Sequence, residues 1–345
     1  MSQFEHGGDV YGNQHVQLDF SVNTNPLGLP GAIKQALSAR ADEFVRYPDP
    51  HCRALCAAIA QAEGVPPEWV LCGNGAADLI FRLGLAVKPR RALVCAPTFS
   101  EYERSLAQTG CEITRHKLAE SDGFALTERI LADIEPGVDM IFLCQPNNPT
   151  GRLISADLLA EILRRAQGIG AVAVVDECFL DFTGGLSCKS LLPVMDRLIV
   201  LKAFTKIYAM AGLRLGYLLC ANADLRGRIV EAGACWSVSV PAQIAGEAAL
   251  TLADWKADAR RLIEAERAYL AGAMQELGVA VYPSDANFLL CKSDSPLYDT
   301  LLAKGILIRA CGNFKGLDER FFRVAVRTHD DNVCLIEAIK EVIYG

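Results

Sequence analysis

The chain has 345 residues and a formal net charge of −7 at neutral pH, a balance that argues against a nucleic-acid or anionic-membrane partner. No apolar run approaches the roughly 20 residues of a membrane-spanning helix, and the first residues lack a signal-peptide pattern. The thirteen cysteines are scattered singly, as in reduced cytosolic proteins, so we expect a cytoplasmic protein with no metal site and with one large and one smaller domain.

The N-terminal segment is predicted to form an extended arm followed by two helices. The glycines after His6 and the Asn-Pro step at Asn25 are typical of extended and turning backbone. Amphipathic patterns predict helices over residues 31–44 and 51–63. Prolines between these two segments separate the helices.

A glycine turn follows the first predicted strand of the main series. Residues 70–72 are predicted to form a strand that enters Gly73-Asn74-Gly75, with a helix beyond. This geometry presents backbone N–H groups to a phosphate. A dinucleotide fingerprint would need glycine or alanine where Asp78 stands. The turn therefore predicts a phosphate cradle and does not favour a Rossmann cofactor site.

The middle of the chain alternates between strands and helices, and the last third changes character. Strands are predicted at 92–95, 112–118, 140–144, 171–176, 198–201 and 216–220, with helices near 100–109, 127–134 and 156–167. This alternation is typical of an α/β fold with a mainly parallel sheet between helices. The remaining elements predict a smaller α+β domain, with helices at 240–250, 254–277 and 331–342 and strands at 279–282, 287–291, 306–309 and 321–326. We place the large domain at residues 44–235, and the arm and small domain at 1–43 and 236–345.

Several polar residues follow predicted strands, where open α/β sheets bind ligands. Asn148, Asp176 and Lys206 have such positions, although each could also be an ordinary turn, cap or surface residue. Lys206 is flanked by apolar and hydroxyl residues, and Arg214 stands eight positions later. This setting suits a desolvated amine beside a bound phosphate.

Two arginines in predicted apolar strands also indicate an anionic ligand. Arg309 and Arg323 would be costly to bury without a partner, although a structural carboxylate would also serve. The whole set has the groups that a pyridine cofactor requires: an amine, a carboxylate for the ring nitrogen, a donor to the phenolic oxygen, an aromatic face and a phosphate cradle. These groups are Lys206, Asp176, Asn148, Tyr102 or Phe99, and the Gly75 turn with Thr205 and Arg214.

Three motifs resemble those of the class I/II aminotransferases, the fold-type I pyridoxal-phosphate enzymes. They are PNNPTG at 146–151, DECF at 176–179, and the segment from Thr205-Lys206 to Arg214-Leu215-Gly216. Within that family, the arm and the segments 235–250 and 306–327 resemble the threonine-phosphate decarboxylases of cobalamin biosynthesis. Phe179 stands where aminotransferases usually have tyrosine. The histidinol-phosphate aminotransferases are the alternative.

The resemblance implies a role for each matching residue. Lys206 and Asp176 would be catalytic. Lys206 would bind pyridoxal 5'-phosphate covalently, and Asp176 would pair with the ring nitrogen of this cofactor. The other cofactor-binding positions would be Gly75, Ala76, Phe99 or Tyr102, Asn148, Thr205, Arg214, and Tyr47 from the second subunit of a homodimer with shared active sites. The substrate, a small phosphorylated amino acid, would contact His6, Gly7, Asn23, Asn148, Arg309 and Arg323.

The implied reaction is decarboxylation of O-phospho-L-threonine to aminopropanol phosphate for the cobalamin nucleotide loop. O-phospho-L-serine is open as a second substrate, because one methyl group carries only about 1–3 kcal/mol of discrimination. Amino transfer is the alternative reaction. A non-catalytic binder of phosphorylated ligands is a third hypothesis, which the presence of Lys206 and Asp176 disfavours.

Overall fold

The computed structural model describes residues 6–345, so residues 1–5 of the predicted arm lie outside the described residues. The helices are α1 Gly31–Ala39, α2 Arg53–Glu63, α3 Gly75–Val87, α4 Glu101–Ala107, α5 Ala156–Gly168, α6 Phe204–Ile207, α7 Ala223–Glu231, α8 Val240–Leu250, α9 Trp255–Glu276, α10 Leu297–Ala303 and α11 His329–Tyr344. The strands are β1 Leu18–Asp19, β2 Val70–Gly73, β3 Arg91–Ala96, β4 Glu112–Lys117, β5 Met140–Cys144, β6 Val172–Asp176, β7 Leu198–Ala203, β8 Gly216–Leu219, β9 Ala280–Val281, β10 Phe288–Lys292, β11 Ile306–Leu307, β12 Arg309–Ala310 and β13 Phe321–Ala325.

Seven strands form the large sheet, in the order β2-β8-β7-β6-β5-β3-β4. All neighbouring pairs are parallel except those of β8, which runs antiparallel to β2 and β7. The predicted α/β class with a mainly parallel sheet is confirmed. Because β8 is the exception, β2, β7, β6, β5 and β3 all end at the same edge of the sheet.

Helices cover both faces of this sheet. In β6, Ala173 and Val175 belong to the apolar cluster on one face, whereas Val172 and Val174 belong to the cluster on the other. The strand is therefore a continuous apolar run, as expected for a strand buried on both sides. Because both faces of the strand are buried, its position in the sheet is fixed. The position of the polar residues at its end is then fixed as well.

The smaller unit contains an antiparallel sheet in the order β12-β13-β10-β9. The N-terminal arm joins it, since β1 pairs in parallel with β11 and Phe20 O accepts a hydrogen bond from Ala325 N at 2.8 Å. The predicted α+β character of this part is confirmed. The domain boundaries at 44 and 235 stay a prediction.

Three predicted elements differ from the structure. The helix expected over 31–44 ends at Ala39 and continues as a 3₁₀ turn over Ala41–Val45, and the one expected over 127–134 is a 3₁₀ segment, Glu128–Asp133. Such short pieces take the tighter i→i+3 pattern when few residues are available for an α-helix. The strand expected over 306–309 is divided into β11 and β12, which belong to different sheets.

Among residues 6–345, no helix combines the length and the apolar composition that crossing a membrane requires. In the same part of the chain, no group of three or more histidine, cysteine, aspartate or glutamate side chains is arranged to hold a metal ion.

Candidate active site

The ends of three neighbouring strands bring the principal predicted residues together. Asp176 is the last residue of β6, Asn148 lies in the loop after β5, and Lys206 lies in α6, directly after β7. The registers Cys144↔Asp176 and Asp176↔Leu201 place the three strand ends at one level. Sheet order therefore assembles residues that are far apart in the chain.

A cavity of about 420 Å³ opens at this edge, between the large sheet, the arm and the small sheet. Most of the predicted site residues line it: His6, Gly7, Asn23, Ala76, Phe99, Asn148, Asp176, Thr205, Lys206, Arg214, Arg309 and Arg323. Gly75, Tyr102 and Tyr47 do not belong to this lining.

The Lys206 amine lies in a cationic and mostly apolar environment. Its Nζ is 5.8 Å from the centroid of the Phe179 ring. Burial, together with the positive charges of Arg323 and Arg214, lowers the pKa of Lys206 to about 8. More of this amine is therefore neutral, and nucleophilic, near physiological pH than in an ordinary lysine.

An asparagine of the arm holds the turn that carries this lysine. Asn25 N donates to Lys206 O at 2.9 Å, and Asn25 Nδ2 donates to Ile207 O at 2.8 Å. The sequence interpretation treated Asn25 only as part of an Asn-Pro turn. The sequence did contain a sign of this role, because Asn25 is only two residues from the predicted site residue Asn23, in the same motif of the arm.

Asp176 is buried and hydrogen-bonded on both carboxylate oxygens. Tyr102 Oη donates to Oδ2 at 2.6 Å, and Cys178 N donates to Oδ1 at 3.0 Å. Burial raises the pKa of Asp176, and these two hydrogen bonds oppose the rise. The carboxylate is thereby oriented for a partner on the cavity side.

The two aromatic candidates have different positions. Tyr102 is fully buried, stacks on Phe142 at 4.8 Å between ring centroids, and lies behind Asp176. Phe99 lines the cavity. Of the two alternatives, the structure places Phe99 where a ligand ring could stack, and Tyr102 where it can orient the carboxylate.

At the predicted phosphate cradle three segments lie close together: the turn at Gly75, the Arg214 side chain and the backbone at Gly216. Gly75 has φ +78°, and a Cβ there would lie 2.7 Å from Arg214 Nη2. A Cβ on Gly216 would lie 2.5 Å from the backbone nitrogen of Ala76. Glycine at both positions lets the Arg214 guanidinium and the first turn of α3 approach each other, which is the geometry of an anion site.

Two arginines from the small sheet face the cavity from the opposite side. Arg309 and Arg323 are direct partners in the β12–β13 register, and both are buried. Burial, with the charge of Arg309 nearby, lowers the pKa of Arg323 to about 10. Arg323 Nη1 donates to Asn148 Oδ1, and Nη2 donates to Ser21 O at 2.8 Å.

Two buried polar atoms near these arginines have unmet hydrogen-bonding capacity. Within the part of the chain that the structure describes, Arg323 Nε and Asn23 Oδ1 are buried and have no hydrogen-bond partner. Such atoms are rare in folded proteins and call for a ligand or water. Both residues line the cavity, so a polar ligand could satisfy them.

Tyr47 lies apart from the other predicted residues. Its side chain is 81% exposed and packs against Trp236, with ring centroids 4.9 Å apart. It does not line the cavity of its own chain. Its predicted contribution to the site of a second subunit therefore stays a prediction.

Several cavity residues were missed by the sequence interpretation as site residues: Ser21, Val22, Ala77, Ser100, Glu101, Arg104, Cys144, Cys178, Phe179 and Phe314. The helical spacing of Glu101 and Arg104 after Phe99 was an available signal. Phe314 gave none, because its place depends on the contact of its ring with Arg309, at 5.2 Å from the guanidinium carbon.

Comparison with known proteins identifies the family. The aminotransferase class I and II family matches residues 15–339. The chain is 41% identical to a threonine-phosphate decarboxylase of Salmonella typhimurium (95% of this chain, 92% of the relative) and 37% identical to a histidinol-phosphate aminotransferase of Desulfitobacterium hafniense (95% and 92%). The crystal structure of a histidinol-phosphate aminotransferase from Clostridium acetobutylicum superposes with a TM-score of 0.88 at 29% identity, over 94% of this chain and 99% of that one. The chain therefore belongs to the class I and II aminotransferase family and has its fold.

Proposed function

We propose that this enzyme uses pyridoxal 5'-phosphate to decarboxylate O-phospho-L-threonine, giving (R)-1-amino-2-propanol O-phosphate for the cobalamin nucleotide loop. The observation that carries the proposal is the charge of the cavity. Lys206 and four arginines line it, with the two carboxylates of Glu101 and Asp176. This excess of positive charge suits a ligand set with two phosphates and one carboxylate.

The residues present fit this cofactor. The cavity has an amine of lowered pKa at Lys206, a buried and oriented carboxylate at Asp176, and an aromatic face at Phe99. Ala76 and Ala77 have no polar side chains, so the cradle would bind the cofactor phosphate through backbone N–H groups. Arg214 and Thr205 would supply the side-chain contacts.

When bound, the cofactor supplies a protonated pyridine ring that withdraws electrons from the substrate Cα. Asp176 would accept the hydrogen bond of the ring nitrogen and keep that nitrogen protonated. Asn148 would donate from Nδ2 to the phenolic oxygen, since its Oδ1 accepts from Arg323. Lys206 would bind the cofactor and later return a proton to the substrate Cα, a role that its lowered pKa suits.

The chain would hold the substrate at both ends. Arg323 would bind the carboxylate, using the Nε that lacks a partner among the described residues. Arg309, His6, Gly7 and Asn23 would surround the side chain and its phosphate. Anchoring at two points restricts rotation about the bond between nitrogen and Cα, and this orientation selects which Cα bond breaks.

The alternative is a histidinol-phosphate-type aminotransferase. The 37% identity to the Desulfitobacterium hafniense enzyme supports it, although the Salmonella typhimurium decarboxylase is more similar, at 41%. Both reactions would use Lys206 and Asp176. The substrate, and the bond that faces the cofactor, distinguish them.

The test is an assay of the purified, cofactor-loaded protein with O-phospho-L-threonine, O-phospho-L-serine and L-histidinol phosphate in parallel. We expect carbon dioxide from phosphothreonine without any 2-oxo acid, and loss of that activity in Lys206→Ala. Amino transfer to 2-oxoglutarate without gas release would overturn the decarboxylase proposal in favour of the aminotransferase. A protein that shows no visible cofactor absorbance and no change on Lys206→Ala would overturn both.

We further propose a cytoplasmic homodimer in which Tyr47 contributes to the site of the partner. Val45 and Tyr47 are 88% and 81% exposed, and the Phe44 ring is 43% exposed. An exposed apolar segment of this kind is typical of an interaction surface. The thirteen cysteines are all free thiols, which supports a reducing compartment. Sedimentation of the wild-type protein and of Val45→Glu would test the dimer, and an unchanged monomeric mass would contradict it.

A further inference from the structure

The arm crosses the mouth of the cavity and is held at two points. Gly8 N donates to Ser21 Oγ at 2.7 Å, and His6 Nε2 lies 2.8 Å from Glu101 Oε1. A Cβ on Gly7 would lie 2.3 Å from Ser21 O, so glycine is required for this close approach. The His6 ring is therefore held in place from the opposite side of the cavity by a single carboxylate.

That carboxylate is also held by a second basic side chain, Arg104. Glu101 is only 6% exposed, lies in the first turn of α4, and lines the cavity. Arg104 Nη1 lies 3.1 and 3.3 Å from its two carboxylate oxygens. Burial alone would raise the pKa of Glu101, but the hydrogen bonds from His6 and Arg104 hold it below its usual value. Glu101 is thus an ionised bridge between two basic side chains at the mouth.

This arrangement has an electrostatic consequence. An uncompensated carboxylate at the mouth would repel a phosphate dianion. Arg104 offsets the charge of Glu101, so the pair adds no net negative charge to the mouth. Glu101 accepts from His6 Nε2 and from Arg104 Nη1, and these two contacts orient both basic side chains at the cavity that they line.

We propose that Glu101 is a positioning residue for the substrate phosphate. It orients His6 and Arg104 at the mouth and touches none of the reacting atoms. This inference rests on the proposed function, in that the anion is taken to be the phosphate of the substrate. It adds to that function a residue pair, Glu101 and Arg104, on which the affinity for the phosphate depends.

The experiment compares Glu101→Gln, Glu101→Asp and the control Glu161→Gln in the cofactor-loaded enzyme. Glu161 lies on α5, is also held by two basic side chains, Arg164 and Arg165, and does not line the cavity. We expect Glu101→Gln to raise KM for phosphothreonine about tenfold, the loss of one charge-assisted hydrogen bond, with kcat within about twofold of wild type. Competitive inhibition by inorganic phosphate should weaken by a similar factor. Glu101→Asp, which keeps the charge, should recover most of the affinity, and the control should match wild type.

Three other outcomes would overturn the inference. A lower KM in Glu101→Gln would mean that the carboxylate repels the phosphate, and an unchanged KM would mean that it positions nothing. A fall in Tm and in cofactor affinity that parallels the rise in KM would assign Glu101 a structural role. If wild type releases no carbon dioxide from phosphothreonine, the proposed function fails. In that case the role of Glu101 is still tested by the binding of inorganic phosphate to the same variants, measured through the change in cofactor absorbance.

Discussion

The contact between Tyr102 and Asp176 leads to a prediction about cofactor affinity. Tyr102→Phe removes one hydroxyl group, which is fully buried and donates to Asp176 Oδ2 at 2.6 Å. The remaining ring keeps its stacking on Phe142. The substitution therefore removes one hydrogen bond to a buried carboxylate with little change in packing.

The magnitude follows from that bond. A hydrogen bond to a charged group contributes about 1.5–3 kcal/mol, which corresponds to a factor of about 10 to 100 in an equilibrium constant. Burial already raises the pKa of Asp176, and loss of the Tyr102 donor would raise it further. Only the ionised carboxylate can hold a proton on the ring nitrogen. Affinity for pyridoxal phosphate should therefore fall by about this factor near pH 7, and the deficit should shrink as the pH rises.

The assay is a titration of the apo-protein with pyridoxal phosphate at several pH values between 6 and 9, with binding measured by visible absorbance. The matched control is Tyr217→Phe, since Tyr217 Oη donates to the buried carboxylate of Glu63 at 2.5 Å and does not line the cavity. The control should lower Tm and leave cofactor affinity unchanged. If Tyr102→Phe binds the cofactor as tightly as wild type across this pH range, Tyr102 does not support the carboxylate and the reasoning is refuted.

Three further predictions concern the lysine, a buried ion-pair network and the arm. The rate at which the cofactor attaches to the apo-protein, measured by stopped-flow absorbance, should rise with pH around a midpoint near 8. The reason is that burial lowers the pKa of Lys206 to about 8. Glu63→Gln should lower the urea-derived free energy of unfolding by about 1.5–3 kcal/mol at pH 7, because Lys202 would lose a charged hydrogen-bond partner 2.9 Å away and keep only the more distant Asp181 Oδ1, at 3.8 Å. Although burial opposes it, the charge of Lys202 lowers the pKa of Glu63 from 4.5 to about 2, so this contribution should persist above pH 4.5 and disappear as the pH falls through 2. Gly7→Ala should raise KM for the phosphorylated substrate several-fold with cofactor affinity retained, because the new Cβ would lie 2.3 Å from Ser21 O.

Controls for these experiments are available in the same chain. Attachment that is independent of pH between 7 and 9 would contradict the lowered pKa of Lys206. Glu161→Gln, at an exposed ion pair, should leave the free energy of unfolding nearly unchanged. Gly31→Ala meets no atom within 4 Å and should leave KM unchanged. An equal effect of Gly7→Ala and Gly31→Ala would show that the close approach at Ser21 has no functional role.

The sequence by itself determined the fold class and most of the residues that meet at the cavity. The alternation of apolar strands and amphipathic helices depends on periodicities that span about ten residues, so it can be recognised without tertiary information. Asn148, Asp176 and Lys206 lie at the ends of parallel strands in one mainly parallel sheet, and such strands end at one edge of the sheet. That these residues meet at one cavity was therefore predictable from their positions after successive strands in the sequence.

The tertiary structure decided the orientation of individual side chains and every contact between distant segments. Phe99 lies just before α4 and Tyr102 lies in its first turn. Packing against Phe142 and Asp176 directs Tyr102 inward and leaves Phe99 at the cavity. The contacts that close the site are of still longer range. His6 and Glu101 are 95 positions apart, and Arg323 and Ser21 are 302 apart. No local pattern encodes such pairs, because they form only when the arm, the large sheet and the small sheet are packed together.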